Sequence, residues 1–119
     1  VNTLKHRCSP TVDGSPGDPK KALATLARWT FDLNRATDDF TSEQLNDVVC
    51  EFPRLDERRT GLSYRYGYFS ADSKPAAKVG GFNQVARMDH KTGAIDVYDV
   101  GAGCAVSEPI FVPKSEDGG

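Results

Sequence analysis

The sequence is poor in the residues that most often announce a function. It has two histidines, three cysteines, one methionine and one tryptophan. His6 and His90 stand far apart in loop-like settings, and neither has a second ligand at a metal-binding spacing such as the i, i+4 pair of a zinc-binding helix. His90 falls in the turn Asp89–Gly93, where solvent exposure is expected. Cys8, Cys50 and Cys104 are odd in number, widely spaced and without a C-x-x-C pair, which removes zinc knuckles and thioredoxin-like motifs. Reduced thiols are the expected state, with a disulfide between two of the three as the alternative. No G-x-S-x-G elbow is present, and no Ser or Cys pairs with a His as a nucleophile requires. Gly80-Gly81 and Gly101–Gly103 lack the strand-to-helix context of a phosphate loop and read as hairpin punctuation.

Long apolar runs are missing too. Nothing approaches the roughly 20 residues that a membrane-spanning helix needs, and the N-terminal VNTLKHRCSP carries basic residues with no apolar stretch of a secretory signal behind them. Neither sign of charge dominates: 15 basic and 17 acidic residues leave a net charge of −2. A nucleic-acid partner would call for a clustered basic excess. The densest charged run, Arg54–Arg59 (RLDERR), alternates in sign and reads as ion pairs pinning a loop. A cytoplasmic protein with no membrane span and no nucleic-acid partner is the expectation.

What is present is β structure. A chain of 119 residues allows one modest domain. Residues 1–22, with Pro10, Gly14, Pro16, Gly17 and Pro19, read as a loop or frayed segment, and 23–119 as the folded part. Leu26–Leu33 alternates as a half-buried strand, with Trp29, Phe31 and Leu33 on one side and Arg28, Thr30 and Asp32 on the other, and Trp29 and Phe31 are the candidate core. Asn34–Asp39 is turn-rich, and Phe40–Asp47 returns as a second strand. Val48–Phe52 is a further strand stopping at Pro53, followed by a loop through Gly61. Tyr64–Phe69 is strand-favouring, with Tyr64, Tyr66 and Tyr68 two apart and expected to pack on one face. Residues 71–78 read as a loop.

The clearest hairpin is Phe82–Met88, the turn Asp89–Gly93, and Ala94–Val100. Val106–Val112 is a last strand, interrupted by Pro109. No amphipathic helix is readable. Strand–turn–strand units at Trp29–Leu45 and Phe82–Val100, about fifty residues apart, suit one propeller blade each within an all-β sandwich, barrel or propeller.

Two carboxylates stand out, Glu51 in Val48–Pro53 and Glu108 in Ala105–Phe111. Each is an acid inside otherwise apolar strand sequence, where burial is costly without a partner. Strand alternation turning each one outward to water is the plain alternative.

The pattern C-E-F-P-R-L-D-E-R-R-x-G-x-x-Y-R-Y-G-Y resembles a segment of carotenoid cleavage oxygenases, particularly bacterial members related to lignostilbene dioxygenases. R-W-T-F-D-L before it, G-G-F-N and M-D-x-x-T-G after it, and S-E-P-I-F-V-P at the end recur there in the same order. The resemblance covers Leu26 to Gly119. It implies about two antiparallel-hairpin blades of a seven-bladed β-propeller, the remaining blades being the partners of this segment. It implies an axial Fe(II) held by four histidines, and O2-dependent cleavage of a conjugated C=C bond in a small apolar substrate, apocarotenoid or stilbene, into two carbonyl products.

Glu51 and Glu108 map onto glutamates that accept the outer ring N–H of iron-ligand histidines, fixing tautomer and orientation. The ligand histidines themselves belong to segments that this chain does not carry. His6 and His90 match none of them, so the isolated chain is expected to bind no iron and to be inactive. A truncated, non-catalytic β-propeller serving as a binding or interaction module is the alternative.

Overall fold

A computed structural model describes residues 2–4, 23–72, 82–101 and 103–115. Expectations for His6, Cys8, Gly80-Gly81 and the loop over 73–78 lie outside those residues. Six strands, β1 (Asn2–Leu4), β2 (Ala24–Phe31), β3 (Phe40–Arg54), β4 (Tyr66–Ala71), β5 (Gln84–Asp89) and β6 (Ile95–Asp99), form one sheet in sequence order. Every neighbouring pair is antiparallel. This is the all-β hairpin architecture expected, with a short edge strand at Asn2–Leu4 where a loop was expected.

Local chemistry explains the turns. Between β2 and β3, Asp32 accepts from the backbone N–H of Asn34 through its side chain (3.0 Å) and of Arg35 through its carbonyl (3.2 Å), an arrangement Asp favours. Between β5 and β6, the Asp89 carbonyl accepts from the Gly93 N–H at 2.7 Å. Gly93 there has φ +76°, a conformation glycine adopts without steric cost.

The fifteen-residue β3 is where the sequence reading needs correction. Phe40–Asp47 and Val48–Phe52 are one strand, not two. Its pairing with β2 jumps from Ala27↔Gln44 to Thr25↔Val49, so four residues of β3 lie opposite Leu26 alone. Polar side chains hold that bulge: Gln44 Nε2 donates to the Asn46 carbonyl (3.0 Å) and to Asp47 (2.9 Å), and the Asn46 carbonyl oxygen of the side chain accepts from Val48 N–H (2.9 Å). Leu45 and Val48, inside the bulge, pack on the core.

Directly opposed residues share a face of an antiparallel sheet. Phe69 opposes Ala86, Ala71 opposes Cys50, and Met88 opposes Ile95. These residues, with Leu26, are the core cluster. The expected core residues Trp29 and Phe31 do not join it, nor does Leu33 on the same side: Phe31 and Leu33 are 55% and 93% exposed. The bulge beside Leu26 shifts the alternation, so inward positions of early β2 do not continue to its end. Trp29, Phe31 and Phe40 form their own ring cluster instead, with centroids 5.1 and 5.4 Å apart.

The chain is extended rather than compact, with a radius of gyration of 16.5 Å against about 13–14 Å for a compact domain of this length. Among the described residues no helix is long and apolar enough to cross a membrane.

Candidate functional site

The second irregularity of β3 builds the site. Pairing with β4 runs Cys50↔Ala71, Glu51↔Ser70, then Arg54↔Tyr68. Three steps along β3 match two along β4, the signature of a β-bulge with one extra residue. Phe52 provides it, with φ +55°, a left-handed conformation that is rare for a bulky residue. In a regular strand Glu51 and Arg54 would lie on opposite faces. The bulge places both on the face away from Phe69, together with Ser70 and Tyr68. Pro53 fits because a bulge leaves its missing N–H without a ladder partner to lose.

Residues 103–113 cross that same face. Val106–Val112, expected as a strand, has no ladder of its own in the structure. Pro109 and Pro113 donate no N–H, and the segment is held as a strap by individual contacts. Val106 N–H donates to the Phe82 carbonyl at 2.7 Å. The Ser70 hydroxyl, fully buried, donates to the Ser107 carbonyl at 2.7 Å. Arg54 pairs with Glu108 at 2.7 Å, and Phe111 lies against Tyr68 with ring centroids 5.4 Å apart.

Glu51 and Glu108 are therefore brought to one face: Glu51 opposes Ser70, and Ser70 holds the residue before Glu108. Glu51 is half-buried, and the Glu108 side chain is 45% exposed.

The charged run after the bulge pins its loop, as expected. Asp56 accepts from the backbone and side chain of Arg58 at 3.1 and 3.0 Å, capping the short helical turn Glu57–Arg59. The Arg58 hydrogen bonds hold the Asp56 carboxyl below its ordinary range. Arg54 reaches Glu57 at 3.9 Å, besides Glu108.

A cleft of about 370 Å3 opens beside Trp29, Arg28, Arg54, Tyr64, Tyr68 and His90. His90, expected to be exposed, is half-buried. Its backbone N–H donates to the Arg65 carbonyl at 2.8 Å, and its Nδ1 lies 3.3 Å from Arg28. The ring folds over Gly67, where an added Cβ would stand 2.7 Å from Nε2. Burial, and secondarily the Arg28 charge, push the His90 imidazole below its ordinary value, against the opposing charge of Asp89. Arg28 also pairs with Glu43 at 3.4 Å. Trp29 Nε1 is buried and has no hydrogen-bond partner among the described residues.

Tyr66 and Tyr68, two apart in β4, share a face as expected. Tyr64 precedes β4 and meets the His90 ring edge-on. The Arg65 and Arg87 guanidinium groups both lie over the Tyr66 ring, each 5.0 Å from its centroid. Those two arginines are held by Asp89 and by Asp96 respectively.

Cys50 and Cys104 are free thiols, and burial pushes the Cys50 thiol up to about 11. Among the described residues no group of three or more His, Cys, Asp or Glu side chains is placed to hold a metal ion. The two nominated carboxylates are acceptors on an accessible face, a chemistry compatible with an outer role around a metal, and Arg54 Nη2 stands 2.7 Å from Glu108 Oε1.

Ser70 and Arg54 are the residues that sequence reasoning missed at this site. In sequence the Y-G-Y-F-S run is conspicuous for its tyrosines, and Arg54 belongs to the charged run Arg54–Arg59, so neither residue signals its contact with the strap.

Comparison with known proteins places this arrangement. The family model described as retinal pigment epithelial membrane protein (RPE65) matches residues 2–119, so the likeness extends well before Leu26. The chain is 36% identical over 117 residues to lignostilbene-alpha,beta-dioxygenase isozyme III of Sphingomonas paucimobilis, covering 91% of this chain and 24% of that protein. It is 31% identical over 115 residues to isoeugenol monooxygenase of Pseudomonas putida, with 91% and 24% covered.

Among solved structures, the lignostilbene dioxygenase of Pseudomonas brassicacearum superposes with a TM-score of 0.78 at 34% identity, over 91% of this chain and 24% of that one. Cobalt-substituted Synechocystis ACO superposes with a TM-score of 0.67 at 26% identity, over 77% and 19%. The chain thus spans about a quarter of the length of the relatives it matches. With one family model matching from residue 2 to residue 119, and with a lignostilbene dioxygenase superposing over 91% of the chain, the chain belongs to the RPE65/carotenoid cleavage oxygenase family.

Proposed function

We propose that this chain is the part of a non-haem Fe(II) dioxygenase that supplies two carboxylates to the surroundings of the metal. The parent reaction is O2-dependent cleavage of a conjugated C=C bond in a small apolar stilbene or apocarotenoid, giving two carbonyl products. The observation that carries the reading is the convergence of Glu51 and Glu108 on one face through a bulge and a strap. Relatives named as lignostilbene dioxygenase and isoeugenol monooxygenase support the reaction class, and a cobalt-substituted relative supports a metal site.

Iron, when bound by histidines of the remaining blades, supplies the centre at which O2 reacts. The residues of this chain act on those ligands. A carboxylate accepting the outer imidazole N–H selects the tautomer whose other nitrogen is free for metal, fixes the ring plane and raises its basicity. Phe52 sets the direction of Glu51, and Ser70 sets the path of the backbone at Glu108. The free thiols suit a reducing, cytoplasmic setting.

Glu51→Gln and Glu108→Gln, made in the protein expressed from its complete reading frame, test this. Each is expected to weaken iron binding or turnover by about 10–100-fold. Unchanged iron content and unchanged turnover in both variants would remove the carboxylates from this role.

A further inference from the structure

Arg54 and Glu108 are brought together from two separate motifs, and their contact is not explained by stability. Their side chains are 42% and 45% exposed at a separation of 2.7 Å. Ion pairs this open contribute roughly 0–1 kcal/mol. What the contact does instead is geometric. The bulge at Phe52 turns Arg54 onto the face that the strap crosses. Ser70 fixes the backbone one residue before Glu108, while Arg54 fixes the side chain itself. Consecutive residues of the strap are thereby clamped at two points, one on main chain and one on carboxylate.

We infer that Arg54 is a positioning residue, whose guanidinium holds one Glu108 oxygen and leaves the other to accept the N–H of a metal-bound imidazole. This rests on the outer-sphere role proposed above for Glu108. A carboxylate can accept at both oxygens, so the two partners do not compete. Without Arg54 the Glu108 side chain loses its fixed rotamer, and each imidazole hydrogen bond then carries the cost of ordering it. The planar fork suits the task because it also reaches Glu57 at 3.9 Å. A lysine keeps the charge but has no second arm to fix its orientation.

The test uses the protein from its complete reading frame, loaded with iron, and follows metal release to an excess of chelator. A parallel Co(II)-loaded sample, read by its visible absorption bands, reports ligand geometry without turnover. Arg54→Ala is expected to speed release by about 3–10-fold, less than the roughly 10–100-fold for Glu108→Gln, and to shift the cobalt bands. Arg54→Lys falls between Arg54→Ala and the parent. In a Glu108→Gln background, adding Arg54→Ala gives no further acceleration, because the two act through one contact.

If Glu108→Gln releases iron no faster than the parent, the outer-sphere reading itself fails. If Glu108→Gln is fast but Arg54→Ala is not, or accelerates release equally in both backgrounds, the positioning role is overturned while that reading stands. Should Arg54→Ala fail to fold by circular dichroism, Arg54→Gln and Arg54→Lys carry the same comparison.

Discussion

Removing the Ser70 hydroxyl is the most economical way to loosen the strap. Ser70 is fully buried, and its only change in Ser70→Ala is the loss of one oxygen that donates to the Ser107 carbonyl at 2.7 Å. A typical internal hydrogen bond contributes a net ~0.5–1.5 kcal/mol, and a buried group left unpaired costs about 1–3 kcal/mol. Ser107 is itself exposed, so water can reach its carbonyl once the strap lifts, which holds the expected loss to about 1–1.5 kcal/mol. That energy bears on local opening rather than on global unfolding.

The Val106 amide, bonded to the Phe82 carbonyl at 2.7 Å, is the reporter. Its hydrogen exchange should quicken by roughly 5–13-fold in Ser70→Ala, measured by mass spectrometry or NMR in the protein from its complete reading frame. Ser107→Ala is the control, since only the main chain of Ser107 accepts this bond. Unchanged exchange in Ser70→Ala, or an equal change in Ser107→Ala, would refute the picture of a strap clipped by one hydroxyl.

Two further outcomes follow from the bulge and the cleft. Phe52 sits at φ +55°, so Phe52→Gly regains about 1–2 kcal/mol of backbone strain while losing the edge contact with Phe82 at 6.4 Å, worth about 0.5–1.5 kcal/mol. Phe52→Val loses the ring and keeps the strain. Chemical denaturation should therefore place the glycine variant above the valine variant by about 1–2 kcal/mol, and equal midpoints would argue against a strained bulge. His90 is pushed below its ordinary value by burial and by Arg28. Its folded value is depressed, so the unfolded chain binds more protons on acidification. Stability carried by this group is present above the ordinary histidine value of about 6.5 and lost as pH falls through the folded value. The drop in urea midpoint between neutral and mildly acid pH should be larger in the parent than in His90→Gln, and identical drops would sink the assignment.

Legibility followed the range of the forces involved. The hairpin through Asp89–Gly93 was readable because alternation and a glycine turn are local. β3 reads as two strands because Gln44–Asp47 is polar enough to pass for a strand end, whereas the Gln44 and Asn46 side chains hydrogen-bond the backbone through a bulge. Val106–Val112 looked like a strand because its residues favour one, yet with Pro109 and Pro113 it is held by Ser70, Arg54 and Phe82. Glu51 and Glu108 were nominated by motif resemblance alone, since composition pointed as readily to water. Their convergence needed the bulge parity, which no residue-by-residue reading supplies. The inward fold of His90 depends on the bare Cα of Gly67, a dependence that lies across the sheet.

The two bulges also fix the spacing of β3 in a way that bears on its tolerance to insertion and deletion. Because each bulge resets which residues face the core, Val49–Glu51 is a counted interval between two phase changes. Dropping one residue from it would carry Glu51 to the Phe69 side and present Cys50 to the strap. Length variation in this family should therefore collect in the turns over 32–39 and 90–94, leaving the interval inside β3 invariant in number even where its residues differ.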